Sequence, residues 1–329
     1  MSRGERYSKT DLVSLSSSGM GRDAWGELAR SLNGLRAAFD ETYEASHGFL
    51  PGSPASEECG RDSLGGAWGA VPARDANITP LTSVFVLLDH MESLGTLITS
   101  PGGITATHTI ARAMLDIATG PWFLLEPGIG GRERVRRHMN LRLQSLKEQT
   151  HLETGTERTA IKSHAEGRIQ RIVQAARTHG FDVRRERDRY QPPFLDTKLP
   201  TTTTLATQMF DPALGQLFWR LGSAVAHGQQ HGISMFIEQI DQPVDPLHGD
   251  AAVQMGVNAQ STALRCGGAP LAVVCTLQRL FSQFGWDTTR LSHATADVID
   301  TWQTVAGVQG GLLPDSFRAN STTRGQNRS

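Results

Sequence analysis

Residues 218–232 read FWRLGSAVAHGQQHG, in which a helix otherwise built of apolar and small residues carries an arginine, Arg220, and a histidine, His227. At 100° per residue, seven positions fall about 20° short of two full turns, so Arg220 and His227 share one face about 10 Å apart along the axis. Gln216 and Ser223 complete the stripe. A guanidinium keeps its charge at any physiological pH and grips anions, and an imidazole gains and loses a proton near neutrality. Leu214, Leu217, Phe218, Trp219, Leu221 and Val225 fall on the other side and make a bulky core face. The plain alternative is an amphipathic helix with its polar side in water, Arg220 laying its stem on the surface and His227 favouring the helix C-terminus. Against it stand Gly222, Ala224 and Ala226 beside the stripe, because a solvated face ordinarily carries Lys and Glu. The spacing predicts close approach of another surface.

The frame that positions this helix reads as all-α. β-branched residues seldom alternate with polar ones, whereas apolar residues recurring at three and four positions fill most of the 329-residue chain. Helices are predicted over 23–46, from a Thr79 cap and Pro80 to Pro101, and over 105–125 with a kink at Gly120-Pro121. A basic hairpin follows at 132–152 and 157–178, then the stripe's own helix, opened by Asp211-Pro212 and ended by Gly228. The last helices cover 251–284, broken near 267–270, and 289–305. Residues 48–78 read as a long Gly, Pro and Ser loop pinned by Trp68, and the polar tail as disordered. The expected organisation is an N-terminal helix and loop (1–78), a helical core (79–240) holding the hairpin (130–189), C-terminal helices packed on that core (246–310), and the tail (311–329).

Net charge is −1, yet residues 130–189 carry 15 Lys and Arg against eight Asp and Glu, a local +7 that leaves −8 for the remainder. Within RERVRRHMNLR, the cations Arg134, Arg136 and Arg137 sit near a helix start, where they oppose the dipole and are better tolerated against an anion. The segment therefore reads either as a solvated surface or as a phosphate contact to RNA. RERVRRHMNLR itself lacks aromatic residues for base stacking.

Other chemistry is excluded or thin. Cys59, Cys266 and Cys275 are odd in number and lack ligand spacing, so neither a disulfide framework nor a zinc site is expected. His227 and His231 are four apart but Gly228 lies between them and no HExxH glutamate accompanies them; Asp89 and Glu92 lack a Glu-x-x-His pair. No cofactor or metal is expected, and no glycine run has the lysine of a phosphate loop. His108, Arg112 and Asp116 form an i, i+4, i+8 ladder, read as surface ion pairing or as lining of the cleft beside Arg220. No segment reaches the roughly 20 apolar residues of a membrane span and no secretory leader is visible, so a cytoplasmic protein is expected.

Arg-x6-His on a bundle helix resembles the signature of the HEPN superfamily. FWRLGSAVAHG is most similar to uncharacterised bacterial members with an aromatic residue before the arginine, a serine in mid-spacing and a glycine after the histidine. ARAMLDIATGPWFLLEP resembles the arginine-and-acid helix that precedes it in such proteins. The resemblance spans residues 80–230 and implies a four-helix core with extra helices at both ends, a homodimer that joins two motifs, and metal-independent RNA cleavage, possible roles being stress or defence. It also implies that His227 moves the proton and Arg220 stabilises phosphate charge, with Gln216, Ser223, Arg112 and Asp116 in support. In the family's ribonucleases a polar residue follows the arginine; here it is Leu221. The alternatives are a catalytically silent helical interaction module with a protein partner, and a small-ligand-binding bundle.

Overall fold

The structure is a computed structural model that describes residues 7–8, 23–100, 103–151, 158–188, 191–210, 212–240 and 253–308. Among these are twelve α-helices: α1 (Ala24–Ser46), α2 (Pro54–Gly60), α3 (Pro72–Thr99), α4 (Ile104–Leu124), α5 (Gly130–Gln149), α6 (Arg158–Thr178), α7 (Thr202–Met209), α8 (Pro212–Ala226), α9 (Gln230–Ile233), α10 (Ala259–Cys266), α11 (Gly268–Phe284) and α12 (Thr289–Ala306). The fold is an all-α packed bundle. The tail expected at 311–329 and the Asp211 cap lie outside the described residues.

α1 places Leu28, Leu32, Leu35, Phe39 and Thr42 on one buried stripe at spacings of three and four, and Asp23 starts it by accepting from the Gly26 N–H at 3.0 Å. That stripe packs on α3 and α12. α3 begins at Pro72, a full two turns before the expected Thr79 and Pro80. Its N-terminus is capped from outside the helix, by Asp62, whose Oδ2 accepts from the Ala73 N–H at 2.6 Å. Pro80 is then an interior residue, and the Thr79 hydroxyl donates to the Asp75 carbonyl one turn back at 2.8 Å. α4 likewise runs through Pro121, which lies in its last turn.

Residues 48–78 are less irregular than composition suggested. Ser53 caps α2 with its hydroxyl, accepting from the Ser56 N–H at 3.2 Å, and Pro54 occupies the first turn. Trp68 does pin the segment: it is buried against Phe181 and donates its indole N–H to the Ile172 carbonyl of α6 at 3.2 Å.

The C-terminal helices are central rather than peripheral. α11 buries nearly its whole surface, from Ala272 and Val273 through Leu277 and Leu280 to Phe284, and contacts α3, α4 and α12. The expected break falls at Gly267, between α10 and α11. A second, smaller core fills the α5–α6 hairpin with Val135, Met139, Leu143, Leu146, Ile172 and Phe181. Short strands that alternation did not reveal accompany the bundle: β1 (Tyr7–Ser8) pairs parallel with β5 (Val253–Gly256), β5 pairs antiparallel with β4 (Ile237–Ile240), and β2 (Val183–Arg184) pairs antiparallel with β3 (Phe194–Leu195). All are two to four residues long, too short for a period-2 signal.

By length and composition α3 is apolar enough to cross a membrane, contrary to the expectation that no segment is. In this fold it is the helix that α1, α2, α4, α5 and α11 pack against.

His138 of α5 is buried beneath α3. The Thr79 hydroxyl donates to Asp75, so its oxygen accepts from His138 Nε2–H at 3.1 Å, and His138 Nδ1 has no hydrogen-bond partner among the described residues. Burial, aided by the nearby Arg142 charge, pushes the imidazole down to about 4. Between pH 6.5 and 4 the unfolded chain therefore takes up a proton that the folded chain refuses, and stability falls as pH drops through that window, by up to about 3 kcal/mol. Urea midpoints measured from pH 7 to 4.5 should decline, and His138→Gln should flatten the decline; an unchanged slope in that variant would contradict the assignment.

Candidate functional site on helix α8

α8 is held by close backbone approaches on its inner side. A Cβ on Gly215 would lie 2.6 Å from the Ala206 carbonyl oxygen of α7, and one on Gly222 would lie 2.9 Å from Arg112 Cβ of α4. Phe218, Ala224 and Val225 are buried, Leu214, Trp219 and Leu221 are partly covered, and Leu217 remains 47% exposed. Gly228 ends the helix with φ +61, a conformation that glycine adopts without steric cost, and Gln229 N–H closes back on the Ala224 carbonyl at 2.9 Å.

The polar stripe points outward. Gln216, Arg220 and His227 are exposed and Ser223 is half-buried. Among the described residues, neither the Arg220 guanidinium nor the His227 ring makes a hydrogen bond or ion pair within the chain, which leaves a cation and a proton carrier uncommitted on one row.

Two readings of the surroundings need correction. Gly222 is small because Arg112 of the same chain presses on it, and Ala224 is buried within the chain, with Gly232 of α9 packed so closely on its backbone that a Cβ on Gly232 would lie 2.6 Å from the Ala224 carbonyl carbon. They are not evidence for a second chain; of the three small residues only Ala226 is exposed. Arg112 and Asp116 do not join the stripe. They form an ion pair along α4, and Arg112 lies 4.3 Å over the Trp219 ring. Trp219 and Gly222 are about 100° and 160° around α8 from Arg220, so the pair braces the flank of the helix and leaves the stripe alone.

The larger correction concerns the hairpin. Arg134 is 0% exposed, and its donors are taken by the protein: Nε reaches Glu58 Oε2 at 2.8 Å, and Nη2 reaches Glu58 Oε1 at 3.0 Å and Gln283 Oε1 at 3.1 Å, while Nη1 donates to the Leu124 carbonyl. Asn77 completes the network, accepting from Gln283 Nε2 at 2.9 Å and donating to Glu58 at 3.1 Å. Burial acts to raise the Glu58 carboxyl, but the Arg134 hydrogen bonds and charge hold it below the usual carboxylate range. Arg136 grips Glu133 through Nε and Nη2, both at 2.6 Å, and donates Nη1 to the Leu195 and Thr197 carbonyls at 2.9 and 2.8 Å. Arg137 is tied to Glu133, Glu126 and the Phe123 carbonyl. Arg134 and Arg136 are buried and structural, and the partly covered Arg137 is engaged through Nε and Nη1. The hairpin's outward positive charge comes instead from exposed Arg171, Arg177, Arg184, Arg185 and Arg187.

Among the described residues no group of three or more His, Cys, Asp or Glu side chains converges, Asp89 is exposed, and Glu92 faces Arg36 at 3.6 Å. The three cysteines are unpaired, with Cys266 and Cys275 buried and their thiols pushed up to about 12 by desolvation. The buried Arg134–Glu58–Asn77–Gln283 network escaped sequence reasoning because its members are 58, 77, 134 and 283 in the chain and share no local period.

Comparison with protein-family models, with curated proteins and with solved structures found no match for this chain.

Proposed function

We propose that the chain is an HEPN-like homodimer whose α8 stripes face each other and together cleave RNA without a metal. The observation that carries this reading is the uncommitted state of Arg220 and His227: other arginines that resemble ligands are saturated inside the fold, and this pair is left open on a row with Gln216 and the half-buried Ser223. In the reaction the ribose 2′-oxygen forms a bond to the adjacent phosphorus and the bond to the 5′-oxygen breaks, giving a 2′,3′-cyclic phosphate. One imidazole accepts the 2′-hydroxyl proton, its twofold copy protonates the leaving 5′-oxygen, and the two Arg220 side chains bind the charge on the phosphoryl oxygens.

Among the described residues of one protomer nothing orients His227, so the second copy is a requirement of the mechanism. Exposed Leu217, next to the stripe, supplies apolar area for that contact. Ser223→Cys tests the juxtaposition: mild oxidation should give a disulfide-linked dimer on a non-reducing gel, faster than Ser163→Cys on the exposed side of α6. Equal or slower cross-linking would rule out stripe-to-stripe contact.

A second reading, a catalytically silent interaction module using the same stripe, draws on Leu221 after the arginine and on the engagement of Arg112 and Asp116 in bracing α8. It shares the dimer and lacks the cleavage.

A further inference from the structure

Helices α4, α8, α10 and α11 meet around a cavity of about 10 Å³ whose walls include His108, Arg112, Phe218, Gly222, Arg265 and Gly268. That volume suits one water or one monatomic ion. The surrounding contacts are tight: besides Gly222 against Arg112, a Cβ on Gly268 would lie 2.6 Å from the Phe218 ring. Slack packing therefore does not explain the space.

Its electrostatics are one-sided. Among the described residues no carboxylate lines the cavity. Asp116, the acid paired with Arg112, binds Nη1 and is itself half-exposed, while the buried Arg112 Nε has no hydrogen-bond partner among the described residues. Arg265 donates to the Met235 carbonyl at 3.2 Å and lies 5.6 Å over the Phe236 ring, and it has no carboxylate partner among the described residues. His108, 3% exposed, meets the edge of the same Phe236 ring at 4.8 Å.

We propose that this cavity is a binding site for a single halide-sized anion, chloride in the cell, held by Arg112 and Arg265 and walled by His108, Phe218 and Gly268. Burial disfavours the Arg265 charge. An anion beside it offsets that cost and ties α10 and α11 to α4, behind the inner face of α8. The site is separate from the outward stripe and stands whether or not that stripe cleaves RNA.

The test is thermal unfolding of the full chain at constant ionic strength, with sodium gluconate exchanged stepwise for sodium chloride or bromide. Gluconate is too large for the cavity. The expected result is a Tm that rises by about 2–4 °C and saturates in the millimolar range, as for a ligand bound only by the folded state. Arg265→Met should abolish the rise. Equal Tm in the two salts, a rise that never saturates, or an undiminished rise in Arg265→Met would overturn the proposal. Should that variant fail to fold, crystals of the unaltered chain grown in bromide decide: an anomalous peak in the cavity supports the site, and its absence overturns it.

Discussion

Replacing Arg134 by methionine is expected to lower the unfolding free energy by about 3–5 kcal/mol, the range found when one partner of a buried ion pair is removed and the other is left uncompensated. Methionine roughly matches the volume, so the loss is chiefly electrostatic. Glu58 would keep its desolvated site and lose the guanidinium that satisfies both its oxygens, and Gln283 and the Leu124 carbonyl would lose donors with no water to replace them. The network joins α2, α3, α5, α11 and the end of α4, so the loss should appear as one cooperative shift in the urea midpoint. Removing both charges, with Glu58→Met added to Arg134→Met, should recover part of the loss, because no buried charge then remains unpaired. The native pairing also has a pH signature. The Glu58 carboxyl is held low in the folded state, so its contribution is present above the unfolded carboxylate value and is lost as pH falls through the folded one. A loss below about 1 kcal/mol for Arg134→Met, within the range of ordinary substitutions, would contradict the buried-network account.

This arginine also shows why charge counting misled. The +7 of residues 130–189 is a property of the sequence, but which cations face water depends on partners far along the chain. Glu58 lies 76 residues before Arg134, and the Leu195 carbonyl 59 residues after Arg136. Features set by nearest neighbours were legible. The stripe on α8, the Gly228 terminus and the break at Gly267 follow from local period and backbone freedom, and the structure places each where the pattern put it. The start of α3 was not legible, because its cap is Asp62, brought back across a turn. The start of α2 could have been read, since Ser53-Pro54 is a local cap signal submerged in a Gly- and Pro-rich background. Of the small residues beside the stripe, Gly222 and Ala224 are points of close approach, but the approaching surface is the chain's own α4 and α9, and Ala226 is exposed.

The central claim is that the row left open on α8 performs chemistry, and cleavage of RNA by the His227→Ala variant in EDTA tests it most directly. In the proposed mechanism His227 is the proton carrier on both sides of the reaction, and positioned acid–base catalysis contributes about 10²–10⁴-fold to rate, so cleavage should fall by at least that factor. Arg220→Ala should cost a comparable amount by leaving phosphoryl charge unbalanced, about 10²–10³-fold. Neither side chain packs in the core, so both variants should keep the urea midpoint of the unaltered chain to within about 0.5 kcal/mol, which separates lost chemistry from lost fold. The account predicts that the unaltered chain releases 2′,3′-cyclic phosphate ends in EDTA and that folded His227→Ala does not. RNA left intact by the unaltered chain, or cut equally fast by His227→Ala, would contradict it.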